Sequence, residues 1–173
     1  MNVLVLWLLP VSWLTHDLEE IATIEGWSRR WEPRGNDDLT PVQRRLVGVV
    51  ASTRRRFTIA VTLVGCVVVG ATVAGVSDPT GLGIRIYTTI LGGYFLHAFV
   101  HVGQSVVFRG YTPGLVTAGL VVIPVSLSLY WRLLSVQFVD AGTVVATGLL
   151  GLVLFVPIVV GASELSKRID RWL

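Results

Sequence analysis

Charge is scarce in this chain: Asp, Glu, Lys and Arg make up 14% of its 173 residues, against 53% hydrophobic. With a mean hydropathy of +0.71, that scarcity excludes an ordinary soluble domain. There is a single cysteine, Cys66, inside an apolar run, which excludes a disulfide framework and a thiolate metal site and leaves this side chain to packing. G-x-S-x-G, the P-loop, G-x-G-x-x-G and H-E-x-x-H are all missing, and the soluble enzyme classes that depend on them drop out. No internal repeat is present. The net charge is +3, but the basic residues flank apolar blocks instead of forming a polar face with interleaved aromatics, so nucleic acid is not the expected partner.

What remains is apolar sequence in blocks of about the 20 residues that a helix needs to cross a hydrocarbon core. Five segments stand out, at about 2–23, 57–76, 84–108, 114–131 and 141–163. They predict an all-α integral membrane bundle in a single domain, 1–173, multi-pass in the cell membrane, with the lipid bilayer as its first partner and room for a homo-oligomer. The first segment has no basic region before it and no small-x-small cleavage pattern after it, so it reads as a span. Arg29, Arg30, Arg34, Arg44, Arg45, Arg54, Arg55 and Arg56 fall in the loop 24–56, which the positive-inside rule places in the cytoplasm. Alternation then puts the N-terminus outside and the C-terminus inside, with only Arg85 and Arg132 of the basic residues outside. Within the loop, Thr40, Pro41 and Gln43 have the spacing of a capping box, so a helix is expected to start there, and the basic, apolar stretch after it reads either as a helix along the inner leaflet or as a solvated linker. Pro124 and Pro157 are expected to bend their helices.

The stretch "WLTHDLEE" places acids where the first helix should be crossing lipid. At about 100° per residue, His16, Glu19 and Glu20 fall within an arc of about 100°, with Asp17 pointing further off that face. In the third segment His97, His101 and Gln104 share an arc of about 60°, with Tyr94 beside them. These are the only three histidines in the chain. Both motifs lie roughly 20 Å along their helices from the outer end, at 1.5 Å per residue, so they should meet in the cytoplasmic half of the bilayer. Glu164, near the inner end of the last segment, is placed to join them.

Ionisable groups inside membrane spans mark a functional site by default. Imidazoles and carboxylates at i, i+3 and i, i+4 on facing helices are how bundles build metal centres. The candidate ligands are His16, Glu20, His97 and His101, with Glu19 or Glu20 as catalytic base and Gln104, Glu164 and Tyr94 as additional members. One divalent ion, zinc in preference to iron, would activate water against a lipid-soluble substrate. A di-iron oxidase of acyl or isoprenoid chains needs more ligands, so Glu164 and Gln104 discriminate. A proton- or cation-coupled transporter and a polar cluster that only fixes helix packing are the other readings.

At these residues the sequence resembles a known family. "HDLEE" (16–20) is similar to the motif that names the HXXEE domain family of small multi-span prokaryotic membrane proteins. "HAFVHVGQSVVFRGYTPGLVTAGLVVIPVS" (97–126) resembles that family's second signature region. The resemblance implies that His16, Glu19, Glu20, His97, His101 and Gln104 form the family's polar site, and it leaves the reaction open.

Overall fold

The structure, a computed structural model, describes residues 3–31 and 39–172, and every regular element among the described residues is helical. A 3-10 turn, Val3–Trp7, leads into α1, Leu8–Trp31. Then follow α2, Pro41–Val50, and α3, Arg54–Ser77. The remaining helices are α4, Leu82–Phe108, α5, Leu115–Ser135, and α6, Ala141–Asp170.

Four of these, α3 to α6, are long and apolar enough to cross a membrane. α1 has the length, but Asp17, Glu19, Glu20, Glu25, Arg29 and Arg30 take it out of that class by composition. It packs as an integral member all the same: Leu9 is in the central core with Tyr87, Leu91, Val122 and Leu129, and the Tyr87 hydroxyl donates to the Leu6 carbonyl at 3.1 Å. α1 also outruns the apolar stretch that marks it. Ile24, Trp27 and Trp31 keep one face apolar past residue 23, and that face packs on Val47 of α2 and Phe108 of α4. Trp27 and Trp31 therefore pack on Phe108, with ring centroids 5.1 and 5.0 Å away. Most of the predicted loop 24–56 is thus helix. Arg34, with the rest of 32–38, lies outside the described residues.

The capping box forms as its spacing predicts. Thr40 Oγ1 accepts from the Gln43 amide and the Thr40 amide donates to Gln43 Oε1. Gln43 Nε2 also donates to the Val107 carbonyl at 2.9 Å, fastening α2 under the end of α4. Gln43→Ala removes the side-chain half of the capping box and the tie while leaving the Thr40 cap itself, and should lower stability by about 1–2 kcal/mol. The measurement is the thermal unfolding midpoint in mild detergent, with the exposed Arg45→Ala as a control expected to melt like the parent.

α4 and α6 approach to backbone contact. A Cβ on Gly151 would run into the Thr89 carbonyl and stand 2.6 Å from the Gly93 amide nitrogen, so only glycine permits the crossing. It brings Phe155 of α6 over His97 of α4, ring centroids 4.8 Å apart. In α5 the stretch Ala118–Val122 widens into a π-helix just before Pro124. Proline has no N–H for the preceding turn, and a wide turn accommodates the loss. Pro157 sits inside α6 without ending it. Cys66 is on an exposed face of α3, not packed as its apolar surroundings suggested.

Charge divides between the two ends of the bundle. Arg54 lies 3.9 Å from Glu25, and Arg55 and Arg56 share Asp170 at 3.1 and 2.8 Å, so the ends of α1, α3 and α6 meet at one basic end. Arg85 and Asp140 line a small cleft at the other. Asp140 caps α6 there, and the Thr143 N–H, 2.6 Å away, holds its carboxyl below the usual carboxylate range.

Candidate metal centre

His16 and Glu20 lie one turn apart on α1, His97 and His101 one turn apart on α4, and the two helices turn these faces toward each other. One donor atom from each residue lies within 4.8 Å of the other three. The Nε2 atoms of His97 and His101 are 2.8 Å apart. Glu20 reaches His101 Nε2 at 3.5 Å through one oxygen and His16 Nε2 at 3.9 Å through the other. His16, His101 and Glu20 are buried, at 1%, 3% and 7% exposure, and His97 is half-buried on the wall of a cavity.

A second layer orients the first. Thr117, in the first turn of α5, donates its hydroxyl to Glu19 Oε2 at 2.5 Å, which leaves Thr117 Oγ1 to accept from His16 Nδ1 at 2.8 Å. That assignment follows from the hydrogen-bond network. With the proton on Nδ1, the lone pair of His16 Nε2 faces the cluster. Nε2 is buried and has no hydrogen-bond partner. Glu19 itself accepts from the amides of Thr117 and Val116, at 2.7 and 3.3 Å, and from the Tyr111 hydroxyl at 2.7 Å. α5 needs this help. Its N-cap is Gly114, which has no side chain to cap with, so a carboxylate from α1 takes up the first-turn N–H groups. Partial burial pushes the Tyr111 hydroxyl above its ordinary range, and it serves here as a donor.

Gly114 closes the centre from the α4–α5 turn. Its φ is +79°, and a Cβ on it would stand 2.8 Å from Cε1 of both His16 and His101 and 3.0 Å from Cγ of Glu20. Thr112, fully buried, donates to the His101 carbonyl at 3.4 Å and holds the turn against α4.

A family profile described as "Protein of unknown function with HXXEE motif" matches residues 7–129, most of the chain and all of this centre. The chain belongs to the HXXEE family. No curated protein and no solved structure matches it.

The geometry divides the labour within the HXXEE motif. His16 and Glu20, one turn apart, face the cluster, whereas Glu19 points to the adjoining helix and fastens α5. The expected pairing of Glu19 and Glu20 as interchangeable bases is thereby resolved in position: of the two, only Glu20 stands among the histidines. Glu164 does not join them. It is exposed and paired with Lys167 at 2.6 Å. The cavity face of α6 is formed by Phe155, Ile158, Val159, Ala162 and Ser166, and Glu164 falls about 180° from Phe155 on the helix. Tyr94 is buried with its ring 6.1 Å from His16, and Gln104 lines the same cavity as the four clustered residues.

Asp17 is the residue that helical-wheel reasoning set aside. It is 5% exposed, lines the same cavity, and stands one helical turn from Glu20. The signal was available in the i, i+3 spacing of Asp17 and Glu20, which puts them about 60° apart.

The residues present fit a divalent ion. Three imidazoles with a carboxylate beside them are a donor set that suits a zinc ion keeping one position open for water, and tetrahedral coordination at about 2.0–2.1 Å places its nitrogens about 3.3 Å apart. The 2.8 Å between His97 and His101 is within about half an ångström of that spacing.

Proposed function

We propose that this protein is a metal-dependent, membrane-embedded enzyme, a hydrolase of a lipid-soluble substrate taken from the cytoplasmic leaflet of the cell membrane. The observation that carries the reading is the convergence of four donor groups within 4.8 Å in a buried site that opens on an apolar cavity. His16, His97 and His101 hold the ion through imidazole nitrogen. Zinc bound there supplies Lewis-acid activation of water. Glu20, facing the three imidazoles, accepts the proton of the attacking water and returns it to the leaving oxygen or nitrogen. Glu19, through Thr117, orients His16. An ester or amide is thus split into an acid and an alcohol or amine, with water as the only co-reactant.

The di-iron alternative needs a larger carboxylate set, and the position of Glu164 weighs against it. α1 is taken as the fifth span in this reading. Asp17 and Glu20, its two buried acids, are then held among the other helices and spared contact with lipid.

The test is metal content by inductively coupled plasma mass spectrometry, on protein purified in mild detergent without chelator, beside His16→Ala and His101→Ala. The expected result is one zinc per chain, lost in both variants while their helical circular dichroism is retained. Two irons per chain would replace hydrolysis with oxidation of a hydrocarbon chain. No stoichiometric metal, before or after incubation with zinc, would overturn the reading and leave a proton relay or a packing cluster.

A further inference from the structure

The metal centre occupies only part of a larger space. A cavity of about 410 Å³ runs through the bundle, within the size range of small-molecule sites. Its walls are apolar, from Val61, Val64 and Val68 of α3, Ile90 of α4, and Phe155 and Ile158 of α6. Thr89 and Gly151 lie at its deep end. At the opposite end it is bounded by Ser52, Ser166 and two charged residues, Arg56 and Lys167, both cationic.

The charge at that end is not neutralised within the cavity. The acids that pair with these cations, Asp170 and Glu164, do not line it, and Asp170 is shared between Arg55 and Arg56. The basic end also carries Arg54, Arg168 and Arg171. An apolar channel with a net positive mouth at the membrane surface complements one kind of molecule, an amphiphile with an acidic head and a hydrocarbon tail.

We propose that the cavity binds a single-chain lipid with an anionic headgroup, its head at Arg56 and Lys167 and its chain running past the histidines toward Thr89 and Gly151. That the bound lipid is the substrate rests on the catalytic reading above; the binding itself does not. Trp13, stacked on Gly65 of α3, and Tyr94 flank the chain where it passes the centre.

The experiment is native mass spectrometry of the full chain released from detergent micelles, titrated with 1-oleoyl-lysophosphatidate or with the uncharged 1-oleoylglycerol. One lysophosphatidate per chain is expected, preferred about fivefold over the neutral lipid, the size of effect that partly exposed charges give. Val61→Trp, which fills the channel, should lose the adduct, whereas Val160→Trp, on the exposed outer face of α6, should keep it. Arg56→Ala with Lys167→Ala should retain the lipid and erase the preference. Parent protein stripped of metal with a chelator should bind lipid as the metal-loaded protein does, which separates the two readings. Equal binding of the two lipids by the parent, or an adduct undiminished in Val61→Trp, overturns the proposal.

Discussion

Gly114→Ala is expected to abolish tight zinc binding and to destabilise the bundle at the same time, although it adds one methyl group outside the proposed ligand set. Two separate penalties act. At φ +79° an L-residue is in the left-handed region, which costs about 1–2 kcal/mol. The new Cβ also stands 2.8 Å from ring carbons of His16 and His101, closer than non-bonded carbons approach. Neither ring can yield freely, because His16 is held through Nδ1 by Thr117 and His101 is paired with His97. Overpacking of this kind costs about 1–3 kcal/mol more. Rings that do turn carry their nitrogens away from the common point, and zinc affinity should fall about 100-fold or further. The measurement is a zinc titration against a competing chelator, with thermal melts in detergent with and without zinc. Gly110→Ala is the matched control, since it lies in the same connection and its Cβ would meet only the Phe108 carbonyl at 3.9 Å. Zinc binding by Gly114→Ala at the parent's affinity would show that the turn does not close the centre.

Gly114 also shows where sequence reading stops. A glycine after proline in "YTPG" reads as a turn, and it is one. That its missing side chain makes room for two histidines from two other helices is a tertiary fact, without a trace in local pattern. The four clustered residues were legible for the opposite reason. His97 and His101, and His16 and Glu20, are i, i+4 pairs, and helical periodicity sets their directions before any packing is known. The meeting of the two faces followed from counting residue depth along helices of a common direction.

The same periodicity misled where it was used to reject. Asp17 was set aside for pointing about 100° from His16, yet a buried helix in a bundle has more than one covered face. Glu164 was admitted on depth alone, and its azimuth about α6 turns it outward. Depth and direction have to agree, and for Glu164 only depth could be estimated from sequence. The end of α1 was misplaced in a related way. Hydropathy falls after residue 23, but Ile24, Trp27 and Trp31 continue one apolar face to the end of the helix. A hydropathy average over all faces hides a stripe that helical spacing reveals.

Thr117→Val should weaken zinc binding by about 10–100-fold while leaving the helices in place, the usual range for a group that orients a ligand without touching the metal. Valine keeps the shape of threonine and loses only the hydroxyl, so the Glu19–Thr117–His16 chain is cut at its middle. Glu19 retains the amides of Val116 and Thr117 and the Tyr111 hydroxyl, so the start of α5 stays capped. Glu19→Ala would remove cap and relay together and could not separate them. Freed from Thr117, the His16 ring loses the acceptor that keeps its proton on Nδ1, and the two tautomers become comparable in energy. Nitrogen-15 chemical shifts of the His16 ring report this directly. A single Nδ1–H form is expected in the parent and in Thr117→Ser, and a mixture in Thr117→Val. The zinc affinity of Thr117→Ser should lie within a few-fold of the parent. If Thr117 were only a packing residue, Thr117→Val would shift the melting midpoint and leave both the tautomer and the affinity where they were. That pattern would remove Glu19 from the metal centre and leave it as the cap of α5 alone.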